Sequence, residues 1–114
     1  MEKLEELNLH FYVLNDSRHQ VPEKLQSQFL QADVTTLTDE NYPSFKSKDE
    51  LIKFADHLAK KIPSNGVVVL TGTIEIAMLV FTMLLRRDTS MRYAAFDFAT
   101  KLYQIRHIDY LDLR

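Results

Sequence analysis

The sequence predicts a single α/β domain on a mostly parallel sheet, and three observations predict it. Short β-rich apolar runs alternate with stretches of helical periodicity. The run Val67-Val68-Val69-Leu70 is continuous and β-branched, as in a strand covered on both faces. The whole chain, residues 1–114, fits the size of one domain. Alternation of this kind implies right-handed βαβ crossovers. The expected strand order is 2-1-3-4, with a fifth strand antiparallel to the fourth. In that order the chain reverses direction between strands 1 and 3, and ligands of open α/β sheets bind at such a switch point, beyond the carboxyl ends of the strands.

Taken in order, Leu9 to Leu14 reads as a buried strand that ends in the polar cluster Asn15-Asp16-Ser17-Arg18-His19. Pro22 suits the first turn of a helix, with Leu25, Phe29 and Leu30 as its apolar stripe. Val34 to Leu37 is a second strand, and the polar stretch Asp39 to Lys46 is a loop. Ser47 and Glu50 form an S-x-x-E capping box. Leu51, Phe54, Ala55, Leu58 and Ile62 follow at helical spacing, and Pro63-Ser64-Asn65-Gly66 ends that helix. After strand 3, Thr71-Gly72-Thr73 turns into an apolar helix over Ile74 to Leu85. Met91 to Phe96 is a fourth strand ending at Asp97. Leu102 to Ile108 alternates, as expected of a half-exposed strand at an edge.

Composition narrows the function classes. With no cysteine, disulfides, thiolate metal sites and cysteine nucleophiles are excluded, in keeping with a reducing, cytoplasmic setting. Met1 to Glu6 is charged and lacks the apolar core of a signal peptide. Ile76 to Leu85, the longest apolar run, is about half of the ~20 residues a membrane span requires. A net charge of −2 argues against a partner of long nucleic acid, which usually demands a basic excess. A small anion in a local pocket needs only a few well-placed groups.

Two segments meet at the predicted switch point. Thr71-Gly72-Thr73 precedes a helix whose free N–H groups and dipole favour an anion; the competing reading is a plain turn with Thr71 as helix cap. The motif lacks the glycine pattern of dinucleotide sites and the lysine of a P-loop. In the cluster after strand 1, Arg18 suits a phosphate, Asn15 and Ser17 suit a base or ribose, and His19 can move a proton near neutral pH. Asp16 belongs to the same loop, and its competing role, with Asn15, is to shape a turn. Asp97, at the end of strand 4, suits a ribose hydroxyl or a metal, and its competing role is to form a turn. His10, His57 and His107 have no partners at metal-ligand spacing, so no metal is expected, and without a dinucleotide or P-loop motif no organic cofactor is expected either. Arg86-Arg87-Asp88 closes the third helix and complements its dipole.

The stretch Leu14 to Leu25, the turn Thr71-Gly72-Thr73 after Val67 to Leu70, and the closing segment Ile105 to Arg114 together resemble small CRISPR-associated accessory proteins with a CARF-like Rossmann fold. Gly66 to His107 is also similar in layout to CRISPR ring nucleases. The resemblance implies a cytoplasmic homodimer, or higher homo-oligomer, that binds cyclic oligoadenylate, cyclic tetra-adenylate first, and either sequesters or cleaves it. Asn15, Ser17, Arg18 and His19 would then be first-loop ligand residues, with the candidate ligand residue Asp16 among them in the same loop, and Thr71, Gly72 and Thr73 second-loop residues. Asp97 matches the strand-end aspartate of the metal-dependent ring nucleases. Their following Pro-Arg is replaced by Phe98-Ala99, which points to metal-independent cleavage, with Arg18 stabilising charge and His19 carrying the proton. Two rival readings stand beside it: a mononucleotide- or phosphometabolite-binding module, and a non-catalytic domain that docks a partner along the last strand.

Overall fold

The computed structural model describes residues 9–16, 20–38 and 42–113. Its elements are β1 (His10–Val13), α1 (Val21–Gln28), β2 (Asp33–Thr36), α2 (Lys48–Lys60), β3 (Val67–Val69), α3 (Ile74–Asp88), β4 (Ser90–Asp97) and β5 (Leu102–Asp109), with a 3-10 turn at Tyr110–Leu113. The five-stranded sheet runs β2-β1-β3-β4-β5. All pairs are parallel except β4 with β5. The expected order and the antiparallel fifth strand are both present.

Period-two alternation along the central strands divides the core into two layers. Phe11 and Val13 of β1, with Val67 and Val69 of β3, meet Val21 and Leu25 of α1 on one face. Leu14 and Val68 meet Ala55, Leu58 and Ala59 of α2 and Ile76, Val80 and Leu84 of α3 on the other. All three valines of β3 are at most 1% exposed, so the continuous β-branched run does report cover on both faces.

Local chemistry sets the boundaries. At the start of α1, Gln20 is left-handed (φ 51°) and the Asp16 carboxylate accepts from Val21 N–H at 2.8 Å. The helix ends at Gln28. Phe29 then stacks at a tilt against Phe11 (5.1 Å between centroids), whereas Leu30 is 82% exposed and leaves the expected apolar stripe. The capping box of α2 forms with one change: Ser47 Oγ accepts from Glu50 N–H, but the Glu50 carboxylate reaches back to Lys46 N–H rather than to Ser47. β3 stops at Val69, one residue early, because Thr71 N–H turns back to the Val69 carbonyl (3.0 Å). α3 runs on to Asp88, where Arg87 donates to the Ala59 carbonyl and to Asp88 itself, and left-handed Thr89 (φ 61°) ends it. No helix among the described residues is long and apolar enough to cross a membrane.

Phe11 has no exposed surface and sits at the centre of the α1-side layer. Phe11→Ala should therefore destabilise the fold by about 3–5 kcal/mol, while Leu30→Ala should stay within about 0.5 kcal/mol. Equilibrium urea denaturation of the two variants checks this, and equal midpoints would contradict the layer assignment.

Candidate functional site

The carboxyl ends of β1 and β3 lie side by side and are joined by one side chain. Thr71 Oγ1 accepts from Asn15 N–H (3.0 Å) and donates to the Asn15 carbonyl (2.6 Å). A threonine suits this role because its hydroxyl both donates and accepts. The strand-to-helix turn that follows requires φ +90° at Gly72. A Cβ there would meet Asn15 Cβ at 2.9 Å and the Tyr42 ring at 3.0 Å. The glycine admits Asn15 and Tyr42 into close packing at the switch point.

Asn15 is 5% exposed, and its carboxamide donates to Thr38 Oγ1 at 3.1 Å. Thr38 in turn donates to the Leu14 carbonyl, which also accepts from the Tyr42 hydroxyl at 3.3 Å. Asp16 N–H donates to the Thr38 carbonyl. Through these contacts the segment after β2 folds back over the switch point. Tyr42 and Phe45 both close on Phe54 of α2, with centroids 5.2 and 5.3 Å away.

The backbone thus encloses an open cleft of about 780 Å³ at the sheet's carboxyl rim. Tyr42, Pro43, Phe45 and Leu51 supply its apolar wall, Lys46 and Lys48 a basic edge, and Thr73 and Glu75 the α3 side. α2 and α3 both begin at this cleft, and the leading N–H groups of a helix have no partner within it. Ser47 caps α2 with its side chain, whereas Thr73 at the N-cap of α3 makes no side-chain cap bond. An aromatic patch from Tyr42 and Phe45, a basic edge and a helix N-terminus suit a ligand with a flat apolar part and a phosphate.

Several residues that the sequence nominates serve the frame instead of the lining. Asn15, Thr71 and Gly72 form the joint, so Thr71 is not the cap of α3. Asp16 caps α1. Asp97 shapes the β4–β5 turn: one oxygen accepts from Ala99 N–H, the other from the Gln104 carboxamide. Among the nominated residues that are described, only Thr73 lines the cleft. Ser17, Arg18 and His19 lie outside the described residues. Arg87 is at the opposite end of α3, engaged with Asp88 and Ala59. Among the described residues no three His, Asp or Glu side chains gather as a metal site. The sequence reading passed over Tyr42, Lys46, Lys48 and Glu75. The signal that could have found them is the Tyr42-Pro43 aromatic turn directly before a capping box, which aims a loop at a helix start.

Two phenols have shifted acidity. Burial pushes the Tyr42 hydroxyl up, with a Thr38 contact acting the other way. Burial and then the Asp16 charge push Tyr103 up. A folded pKa above the unfolded one means that stability is complete below about pH 10 and is lost as pH rises through the folded value.

Two predictions follow from the joint. Gly72→Ala should lose about 1–3 kcal/mol from positive-φ strain, read as a lower urea midpoint; an unchanged midpoint would contradict the packing of Asn15 and Tyr42 around it. Tyr42→Phe should show a shallower loss of stability above pH 10 than the wild type, the remainder coming from Tyr103. Identical alkaline profiles would place the Tyr42 hydroxyl in solvent. No protein-family description matches the chain, and no curated protein matches it in sequence.

Proposed function

We propose that the protein binds a cyclic oligoadenylate, with cyclic tetra-adenylate as the first ring to test, at the carboxyl rim of its sheet. The observation that carries this reading is the cleft at the switch point, where Lys46, Lys48 and the uncapped start of α3 face an aromatic wall. A phosphate suits the basic edge and the helix N-terminus, and an adenine suits Tyr42, Pro43 and Phe45. The choice of a cyclic oligoadenylate rests on the resemblance in the sequence, which also implies a cytoplasmic setting.

A two-fold ring calls for two copies, and α3 offers a surface for the second. Ile74 and Met78 expose 72% and 62% of their surface within the first turns after Thr73. Contact between the exposed starts of two α3 helices through Ile74 and Met78 would bring two clefts together. In this reading, as the resemblance implies, Arg18 would hold a phosphate and His19 would carry the proton for ring opening.

A second reading rests on size. A cleft of about 780 Å³ in one copy matches an ordinary small-molecule site, which favours a mononucleotide or a phosphorylated metabolite. Calorimetric titration with cyclic tri-, tetra- and hexa-adenylate, AMP and ATP separates the two. The first reading expects a ring to bind at least tenfold more tightly than AMP, with one ring per two chains. Preference for AMP or ATP would establish the second, and binding of none would overturn both.

The same titration tests the placement. Lys48→Ala and Arg18→Ala should each weaken ring binding by about 1.5–3 kcal/mol through a lost charge-assisted contact, while Arg87→Ala should leave it unchanged. Equal losses in all three variants would contradict the assignment. Where the purified protein cleaves the ring, the activity should survive chelation and fall about 10²–10⁴-fold in His19→Ala with affinity retained.

A further inference from the structure

The two edges of the sheet differ in length. β2 has four residues, whereas β5 has eight, from Leu102 to Asp109. A long edge presents a row of N–H and C=O groups on which another strand can add. In an antiparallel pair these groups point alternately towards the neighbouring strand and away from it. Tyr103 points away from β4, and Gln28 of α1 takes both of its groups. The Gln28 carboxamide accepts from Tyr103 N–H (2.8 Å) and donates to the Tyr103 carbonyl (2.7 Å). A carboxamide offers an acceptor and a donor, as a peptide group does, so Gln28 stands where a residue of a sixth strand would stand. At the other end of the edge, Asp109 N–H is taken by the Asp112 carboxylate (2.8 Å). By the same alternation Ile105 and His107 face outward, and among the described residues nothing bonds to their main chain on that side. The open row is two residues long.

A second copy of β5 is the strand that can add to this row, and the sequence of β5 decides its register. The antiparallel register that uses the two open residues alone pairs Ile105 with His107 and sets Arg106 against Arg106 of the second copy. Like charges directly opposite one another disfavour it. Sliding one copy by two residues puts Ile105 on the two-fold axis. Arg106 then lies opposite Gln104, to which it already donates within its own strand (3.0 Å), and Leu102 lies opposite Ile108. This register removes the charge conflict, but it pairs His107 with the main chain of Tyr103, which Gln28 holds. Sliding the other way pairs Ile105 with Asp109, whose N–H is also taken.

We propose that Gln28 guards the β5 edge: as a one-residue stand-in for a sixth strand, it keeps two copies of the domain from joining their sheets in the register centred on Ile105. The carboxamide acts at the one position where the side chains of β5 would otherwise favour self-pairing. The guard rests on the edge alone and is independent of what binds at the rim cleft.

The test compares the full wild-type chain with Gln28→Met, which keeps the length of the side chain and suits a helix but cannot bridge both Tyr103 groups, and with Gln28→Ala. At equal concentration, sedimentation velocity should show that each variant doubles its mass relative to the wild type. Nitrogen-15 NMR should show the Ile105 and His107 amides of the variants exchanging more slowly as protein concentration rises, and those of the wild type exchanging at a constant rate. Adding Gln104→Arg to Gln28→Met should restore the wild-type mass, since it sets an arginine against Arg106. Variants that keep the wild-type mass, associate without slower exchange in β5, or associate equally well with Gln104→Arg would overturn the proposal. Exchange at Ile105 and His107 that slows with concentration in the wild type would overturn it as well.

Discussion

The rim of this protein depends on the joint between Asn15 and Thr71, where a single hydroxyl satisfies both main-chain groups of a residue just beyond the end of β1. Strands 1 and 3 are neighbours in space but far apart in sequence, and beyond Val13 and Val69 the regular ladder has stopped. Without a substitute, the polar backbone there would be left without partners in a setting where Asn15 is buried. Thr71 supplies the substitute. Gly72 then lets the chain turn away at positive φ while Tyr42 closes over it. The Leu14 carbonyl, taken by both Thr38 and Tyr42, ties the segment after β2 into the same joint.

That arrangement separates framing from lining. Residues immediately after the strands are consumed in holding the strand ends together, so the surface offered to a ligand comes from one step further out. It consists of the loop 42–48, the first turn of α2 and the first turn of α3. Strand ends in open α/β sheets gather side chains from distant parts of the chain. Here they gather first to satisfy one another, and the cleft is what their packing leaves between two helix starts.

The fold was legible because its signals are local. The unbroken valines of β3, the alternation in β5 and the stripe of α2 each follow from a period that burial imposes, and the strand order follows from right-handed crossovers. Boundaries were less legible where a tertiary contact sets them. Arg87 reaching the Ala59 carbonyl holds α3 through Asp88, and nothing near Leu85 announces that. The framing role of Asn15, Asp16 and Thr71 was hidden for the same reason: a polar cluster at a switch point reads alike whether its groups face a ligand or each other. Lys46 looked like an ordinary loop residue and Lys48 like part of a capped helix start, since only the return of the loop through Tyr42, Phe45 and Phe54 brings them to the rim. Gln28 gave no sequence signal either, because its pairing with Tyr103 depends on α1 crossing the sheet towards β5.

Hydrogen–deuterium exchange with and without cyclic tetra-adenylate tests the central claim most directly, that the ligand is held between the 42–48 loop and the start of α3. The account predicts new protection at residues 44–48 and 74–76, with β5 and the carboxyl end of α3 near Arg87 unchanged. Protection confined to the α1 and β4–β5 side, or none at the rim under saturating ring, would contradict it.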